Sequence, residues 1–150
     1  ETFFAKLKDL PKANKNPLKR LITWKSQVMS VKKVEMGEFV GYGNSFLALK
    51  NMLLAIVPVG YGHGYSRLLS NSGLVLIGGK HCQVVGTVTM NAIAVDISHV
   101  KNVQIADEVV MIGKQKGKEI TVASFSESTQ QVNYELLTRL PRDIPRRIID

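Results

Sequence analysis

The chain has 150 residues, 45% of them apolar and 21% charged, and 20 Lys and Arg against 12 Asp and Glu give it a net charge of +8. That is enough chain for one domain with its own core, and the composition is that of an ordinary globular protein. The longest apolar runs, such as 52–59, are far too short to span a bilayer, and no charged start followed by an apolar run and a small-residue cleavage site opens the sequence.

The positive charge is unevenly spread. Residues 1–35 carry nine basic residues against three acids, 36–138 carry seven of each, and 139–150 add four Arg against two Asp. A nucleic-acid-binding module would place its basic residues on the folded body, interleaved with exposed aromatics. Here the body is neutral, which argues against an RNA-binding barrel. The single cysteine, Cys82, excludes an internal disulfide and suits a reducing cytoplasm. It lies in an apolar, strand-like stretch and reads as a buried structural thiol.

Residues 1–21 are Lys-rich, with Pro11, Pro17 and several Asn, and read as a linker. Because the chain opens on Glu1, it reads as a piece of a longer protein. From Ile22 the pattern becomes β. Residues 22–34 alternate imperfectly, and 52–59 are apolar on both faces. Residues 74–77, the pair Gly78-Gly79 and residues 81–85 predict a tight hairpin, since paired glycines supply positive φ. Residues 84–88 and 92–97 continue the sheet, and 108–112 with 119–122 form a further pair. Two short helices are predicted late, over about 122–129 and 134–140, the second capped by Asn133 and stopped by Pro141. Residues 144–149 are expected to close the fold as a final strand. The whole reads as mainly β, a closed Greek-key β-barrel with two short C-terminal helices, occupying 22–150.

Two tyrosines stand in similar glycine frames, Val40-Gly41-Tyr42-Gly43 and Gly60-Tyr61-Gly62-His63-Gly64-Tyr65. Glycine on both sides of a phenol weakens a strand but permits sharp turns and close approach of backbone to a ligand. A tyrosine in a β protein is ordinarily a core-edge residue with its hydroxyl satisfied. To act as a base near neutral pH, a phenol of ordinary pKa about 10 needs cations beside it. None is evident in the chain, so an activating group would have to come from elsewhere. The run Gly60-x-Gly62-x-Gly64 lacks the spacing and following helix of a dinucleotide loop. His63, His81 and His99 have no second ligand at metal-site spacing, which argues against metal binding. His81 and His99 read as surface residues.

In order along the chain, Val40-Gly41-Tyr42-Gly43, Val57-Pro58-Val59-Gly60-Tyr61-Gly62-His63-Gly64-Tyr65-Ser66-Arg67, Val85-Gly86-Thr87-Val88-Thr89-Met90-Asn91 and Asn133-Tyr134-Glu135-Leu136-Leu137-Thr138-Arg139-Leu140-Pro141 resemble the C-terminal domain of bacterial alanine racemase. The resemblance runs from about Ile22 to the end. It implies a two-domain, fold-type III, pyridoxal 5'-phosphate enzyme. An N-terminal (β/α)8 barrel, absent here, holds the cofactor on a lysine. The cytoplasmic homodimer is head-to-tail, so each C-terminal domain completes its partner's site, and the product serves peptidoglycan synthesis.

By the same resemblance, Tyr42 is the base for the L-enantiomer, Met90 helps to hold the substrate carboxylate through its backbone, Tyr61 stands at the active-site entrance and Tyr134 reaches the cofactor phosphate. Asn91 departs from the family's usual Asp, and Thr89 from its usual Cys. His63 replaces the usual acid of the entrance loop. These changes put a serine or larger amino-acid substrate beside alanine as an alternative, and a non-catalytic sensor of the same ancestry is the other. Lacking the cofactor lysine, the chain alone is expected to be inactive.

Overall fold

The computed structural model of the chain describes residues 22–124 and 137–148. Ten strands follow in order: β1 (Trp24–Gln27), β2 (Ser30–Val34), β3 (Phe39–Val40), β4 (Phe46–Leu47), β5 (Met52–Val57), β6 (Leu74–Ile77), β7 (Lys80–Val85), β8 (Ile93–Asp96), β9 (Glu108–Gln115) and β10 (Lys118–Ile120). The main sheet runs β1-β9-β6-β7-β8-β5-β2 through antiparallel pairs, with β10 beside β9, while β3 and β4 form a separate small hairpin.

The predicted Gly78-Gly79 hairpin is present, with Ile77 opposite Lys80 and both glycines at positive φ, 61° and 81°. A mainly β fold with two short helices is also as expected, with helical turns over 122–124 and 137–139. Thr121 caps the first, its hydroxyl accepting from the Ser124 amide at 3.2 Å. The Asn133 cap and the remainder of both predicted helices lie outside the described residues.

Closure differs from the closed barrel expected from the sequence. Among the described residues no ladder joins β1 to β2, the two ends of the sheet. The imperfectly alternating β stretch 22–34 is broken at Val28 and Met29 into β1 and β2. The Val28 amide donates to Asp107 O at 2.9 Å, next to β9, whereas the Met29 amide donates to Ile56 O of β5 at 2.8 Å. One continuous segment therefore serves both ends of the sheet. Two successive strands with no reversal between them cannot pair with each other. The bend brings the ends round without a closing ladder.

The final strand expected over 144–149 is not formed in its described part, where 145–148 pair with no strand. Pro145 has no amide to offer. Arg146 instead turns back, its guanidinium donating to the carbonyls of Pro141 at 2.9 Å and Arg142 at 3.1 Å.

Inside the curl, Val57, Val75, Leu76, Ile77, Val95 and Met111 are fully buried. Each such aliphatic side chain contributes roughly 1.5–3 kcal/mol when removed from water. β5 is buried on both faces over most of its length, as its unbroken apolar run requires. Trp24 meets Tyr65 with ring centroids 6.1 Å apart and planes tilted by 55°. Among the described residues Tyr65 is thus the core tyrosine, and burial pushes its phenol pKa up. A smaller cluster of Val40, Ala48, Met52, Leu54 and Val85 roots the β3–β4 hairpin on the sheet.

On the outer surface the Lys25 ammonium of β1 contacts the Glu108 carboxylate of β9 at 2.7 Å, and that hydrogen bond holds Glu108 below the usual carboxylate range. A lowered carboxylate pKa stabilises the fold above the unfolded value of about 4.3, and the contribution is lost as pH falls through the folded value. Both side chains are largely solvated, so Glu108→Gln should cost no more than about 1 kcal/mol at pH 7. In thermal unfolding from pH 7 to pH 3, the gap between parent and variant should hold down to the unfolded value of about 4.3 and narrow as pH falls further. A gap as wide at pH 3 as at pH 7 would contradict the assignment.

Candidate functional site

The β3–β4 hairpin pairs Phe39 with Leu47 and Val40 with Phe46, and residues 41–45 connect its arms. Gly41, Gly43 and Asn44 have φ of 83°, 73° and 51°. That run of left-handed residues makes the sharp turn the glycine frame suggests. It leaves Tyr42 79% exposed, although the neighbouring Val40 is buried. Gly41 is needed for a second reason, since a Cβ there would lie 3.0 Å from the Thr87 amide nitrogen and 3.2 Å from Gly86 Cα. The Thr87 hydroxyl donates to the Tyr42 carbonyl at 3.2 Å. Among the described residues the Tyr42 hydroxyl makes no hydrogen bond.

The second frame folds as a short 3-10 turn, Tyr61–His63. Its backbone lies along the strand-like segment that follows Thr87. The Tyr61 amide donates to Thr89 O at 3.0 Å and the Gly62 amide to Met90 O at 2.9 Å. Any side chain at residue 60 would overlap the Thr89 and Met90 backbone, so glycine is obligatory there. His63 closes the turn: its Nδ1 accepts from the Gly60 amide at 3.2 Å, and its own amide donates to Gly60 O at 2.9 Å. Tyr61 is 46% exposed and borders a cleft of about 540 Å³ together with Ser66, Arg67 and Arg139. The cleft is thus bordered by one exposed aromatic residue and two basic ones.

Met90 and Asn91 sit at the centre of a tight turn. The Thr89 hydroxyl both accepts from the Ala92 amide at 3.1 Å and donates to the Ala92 carbonyl at 2.9 Å. Both central residues are exposed. Among the described residues the Met90 amide donates to no acceptor. A second cleft, of about 340 Å³, lies between the hairpin and the sheet and is lined by Val34, Phe39, Leu54, Ile56, Thr87 and Ala94.

Of the residues singled out in the sequence, Tyr42, Tyr61, Met90 and Asn91 therefore stand on three turns joined through 86–90. Tyr134 lies outside the described residues. Sequence reasoning passed over Thr87, Ser70 and Asn71, which link these turns. Asn71 lies in the polar run Ser70-Asn71-Ser72-Gly73, which reads only as a turn, and no local pattern shows where its amide reaches.

His81 and His99 are exposed, as expected. Cys82 is buried, and burial pushes its thiol pKa up to about 11, which removes the thiolate needed for a nucleophile. Among the described residues no three His, Cys, Asp or Glu side chains are grouped to hold a metal, and no helix is long and apolar enough to cross a membrane.

Comparison with known proteins covers nearly all of this architecture. The family model described as alanine racemase, C-terminal domain, matches residues 21–148. An alanine racemase of Halothermothrix orenii is 35% identical over 133 residues, covering 89% of this chain and 35% of that protein. Alanine racemase 1 of Clostridium acetobutylicum is 36% identical over 133 residues, covering 89% and 34%. Among solved structures, alanine racemase from Bartonella henselae with covalently bound pyridoxal phosphate superposes with a TM-score of 0.79 at 30% identity, over 87% of this chain and 35% of that one. That from Oenococcus oeni gives a TM-score of 0.82 at 26% identity, over 88% and 36%. The chain spans about a third of the length of these relatives. A match of that extent, carrying both glycine-framed turns, means that the chain belongs to the alanine racemase C-terminal domain family.

Proposed function

We propose that this chain works as the C-terminal domain of a pyridoxal 5'-phosphate-dependent alanine racemase, lending Tyr42 to the interconversion of L- and D-alanine. The observation that carries the reading is the Tyr42 phenol, raised on a left-handed turn and exposed, while the backbone beneath it is fixed to Thr87. A side chain held at its root and solvated at its tip suits a group that acts in a site completed by another body.

The described residues suit contact with a cofactor rather than its enclosure. Tyr42, Tyr61 and Met90 are all exposed, and Arg67 and Arg139 border the cleft beside Tyr61. When bound, pyridoxal phosphate supplies an electron sink for the charge left at the substrate Cα. The rest of the work falls to groups of the chain. Tyr42 takes the Cα proton from the L-face, and returns one there in the opposite direction, at its hydroxyl oxygen. The Met90 amide holds the substrate carboxylate. Tyr61 narrows the approach, and Tyr134, outside the described residues, reaches the cofactor phosphate. Cations that favour the phenolate come from the body opposite, because a phenol works as a base near neutral pH only with such help.

A head-to-tail homodimer in the cytoplasm, with each C-terminal domain serving the partner's barrel, fits this division of groups. Residues 1–21 then act as the linker to that barrel, and the domain alone is inactive. The activity of the full-length enzyme supplies D-alanine for the cell wall.

In the full-length enzyme, Tyr42→Phe should lower racemisation of L-alanine by about 100-fold or more, the range of a positioned acid–base group. Circular dichroism and cofactor absorbance should stay unchanged. Turnover equal to the parent's would remove Tyr42 from the mechanism. Asn91→Asp restores the family's usual carboxylate on the turn beside Met90. It should shift the ratio of activities on alanine, serine and larger amino acids without abolishing turnover. An identical substrate profile would show that residue 91 does not select the substrate.

A further inference from the structure

Asn71 lies apart from Tyr42, Tyr61 and Met90 in the sequence, yet its side chain reaches the Tyr42 connection and the segment that leads to Met90. Its Nδ2 donates to the Ser45 carbonyl at 3.0 Å, on the connection that bears Tyr42. Its Oδ1 accepts from the Gly86 amide at 2.6 Å, one residue before Thr87. These two bonds also settle the amide's orientation, because the donor must face a carbonyl and the acceptor an N–H. The backbone is engaged as well: the Asn71 amide donates to Gly86 O at 3.2 Å, and Gln83 Nε2 donates to Asn71 O at 2.7 Å.

Asn71 has a φ of 59°, in the left-handed region that asparagine tolerates better than most side chains. Its neighbour Ser70 adds a third link. The Ser70 hydroxyl donates to Arg67 O at 2.6 Å and accepts from the Val88 amide at 3.0 Å. The pair Ser70-Asn71 therefore joins the Tyr42 connection, the turn after Tyr61 and the segment leading to Met90. Among the described residues, Asn71 is the one outside both the Tyr42 connection and that segment whose side chain hydrogen-bonds to each of them.

We propose that Asn71 is a positioning residue for Tyr42, clamping the Ser45 carbonyl to the Gly86 amide so that the phenol is held in place before substrate arrives. This rests on the reading of Tyr42 as the L-face base. The clamp is half-buried and spans two loops. Its loss lets the Tyr42 turn drift while β7 and β8 keep their ladders. A displacement on the order of 1 Å at a reacting group can lower its contribution by about 100-fold.

Two variants test this in the full-length enzyme with pyridoxal phosphate. Asn71→Asp keeps the acceptor for Gly86 but sets a carboxylate oxygen against the Ser45 carbonyl. Asn71→Gly accepts the same φ without strain, keeps both backbone bonds and deletes the clamp. Each is incubated with D-alanine in deuterium oxide, and label entering unconverted D-alanine is compared with conversion to L-alanine. Impairing only the L-face group leaves exchange on the D-face running, so the ratio of exchange to inversion should rise by about tenfold or more. A purely structural loss lowers both in proportion, and an unchanged ratio in the folded variants would overturn the proposal.

Amide hydrogen exchange of the cofactor-free proteins is the second readout. Faster exchange confined to the peptide covering 41–47 is expected, and equal loosening of β7 and β8 would overturn the proposal. Tyr42→Phe run alongside should itself raise the ratio. If it does not, the role given to Tyr42 fails, whereas a rise in Tyr42→Phe alone removes only the role of Asn71.

Discussion

The backbone of residues 86–90 is approached by two other backbones at distances that admit no side chain between them. Gly41 lies against Gly86 and Thr87, and Gly60 lies against Thr89 and Met90. Main-chain polar groups brought this close must be paired, since an orphaned amide or carbonyl costs free energy. The Thr89, Met90 and Tyr42 carbonyls are paired, accepting from the Tyr61 amide, the Gly62 amide and the Thr87 hydroxyl in turn. The relative placement of both exposed tyrosines follows from these contacts. A rigid core beneath the segment makes them effective, because Val84, Val85 and Val88 anchor it from below.

The chemistry is distributed accordingly. The apolar interior holds Tyr65 and Cys82 in forms unsuited to proton transfer or nucleophilic attack, as burial raises the pKa of both. The exposed tyrosines sit instead on turns at the edge, where a second body can supply charge. Under the proposed function this is why a domain without the cofactor's lysine still carries a base. Proton transfer on one face of Cα and proton transfer on the other can be assigned to separate bodies, provided that each is held rigidly. The clamp around Asn71 belongs to the same logic, since it fixes the root of a turn whose tip is free.

Much of the scaffold was legible in the sequence. The Gly78-Gly79 hairpin, the apolar β5 and the pair formed by β9 and β10 follow from local pattern alone, because turn glycines and apolar runs act over a few residues. Both glycine frames also pointed correctly to sharp turns. The break at Val28 and Met29 was not legible, since it depends on which strands flank each half of the segment. Nor was the β3–β4 hairpin, whose two-residue strands carry no alternation to read. Residues 145–148 contain apolar Ile148 but are taken up by Arg146 folding back on Pro141 and Arg142, a contact fixed by three-dimensional placement. Asn71 and Thr87 escaped for the same reason: a polar residue in a turn does not announce its distant partner.

The central claim is that Tyr42 acts in a site completed by a second subunit. A crystal structure of the full-length enzyme, with pyridoxal phosphate and a bound alanine analogue, tests it most directly through the distance from the Tyr42 hydroxyl to the analogue's Cα. The account predicts about 3–3.5 Å, the spacing of groups poised to react, with the phenol contributed across the dimer interface. A Tyr42 hydroxyl left in solvent, or directed away from the cofactor of either subunit, would contradict it.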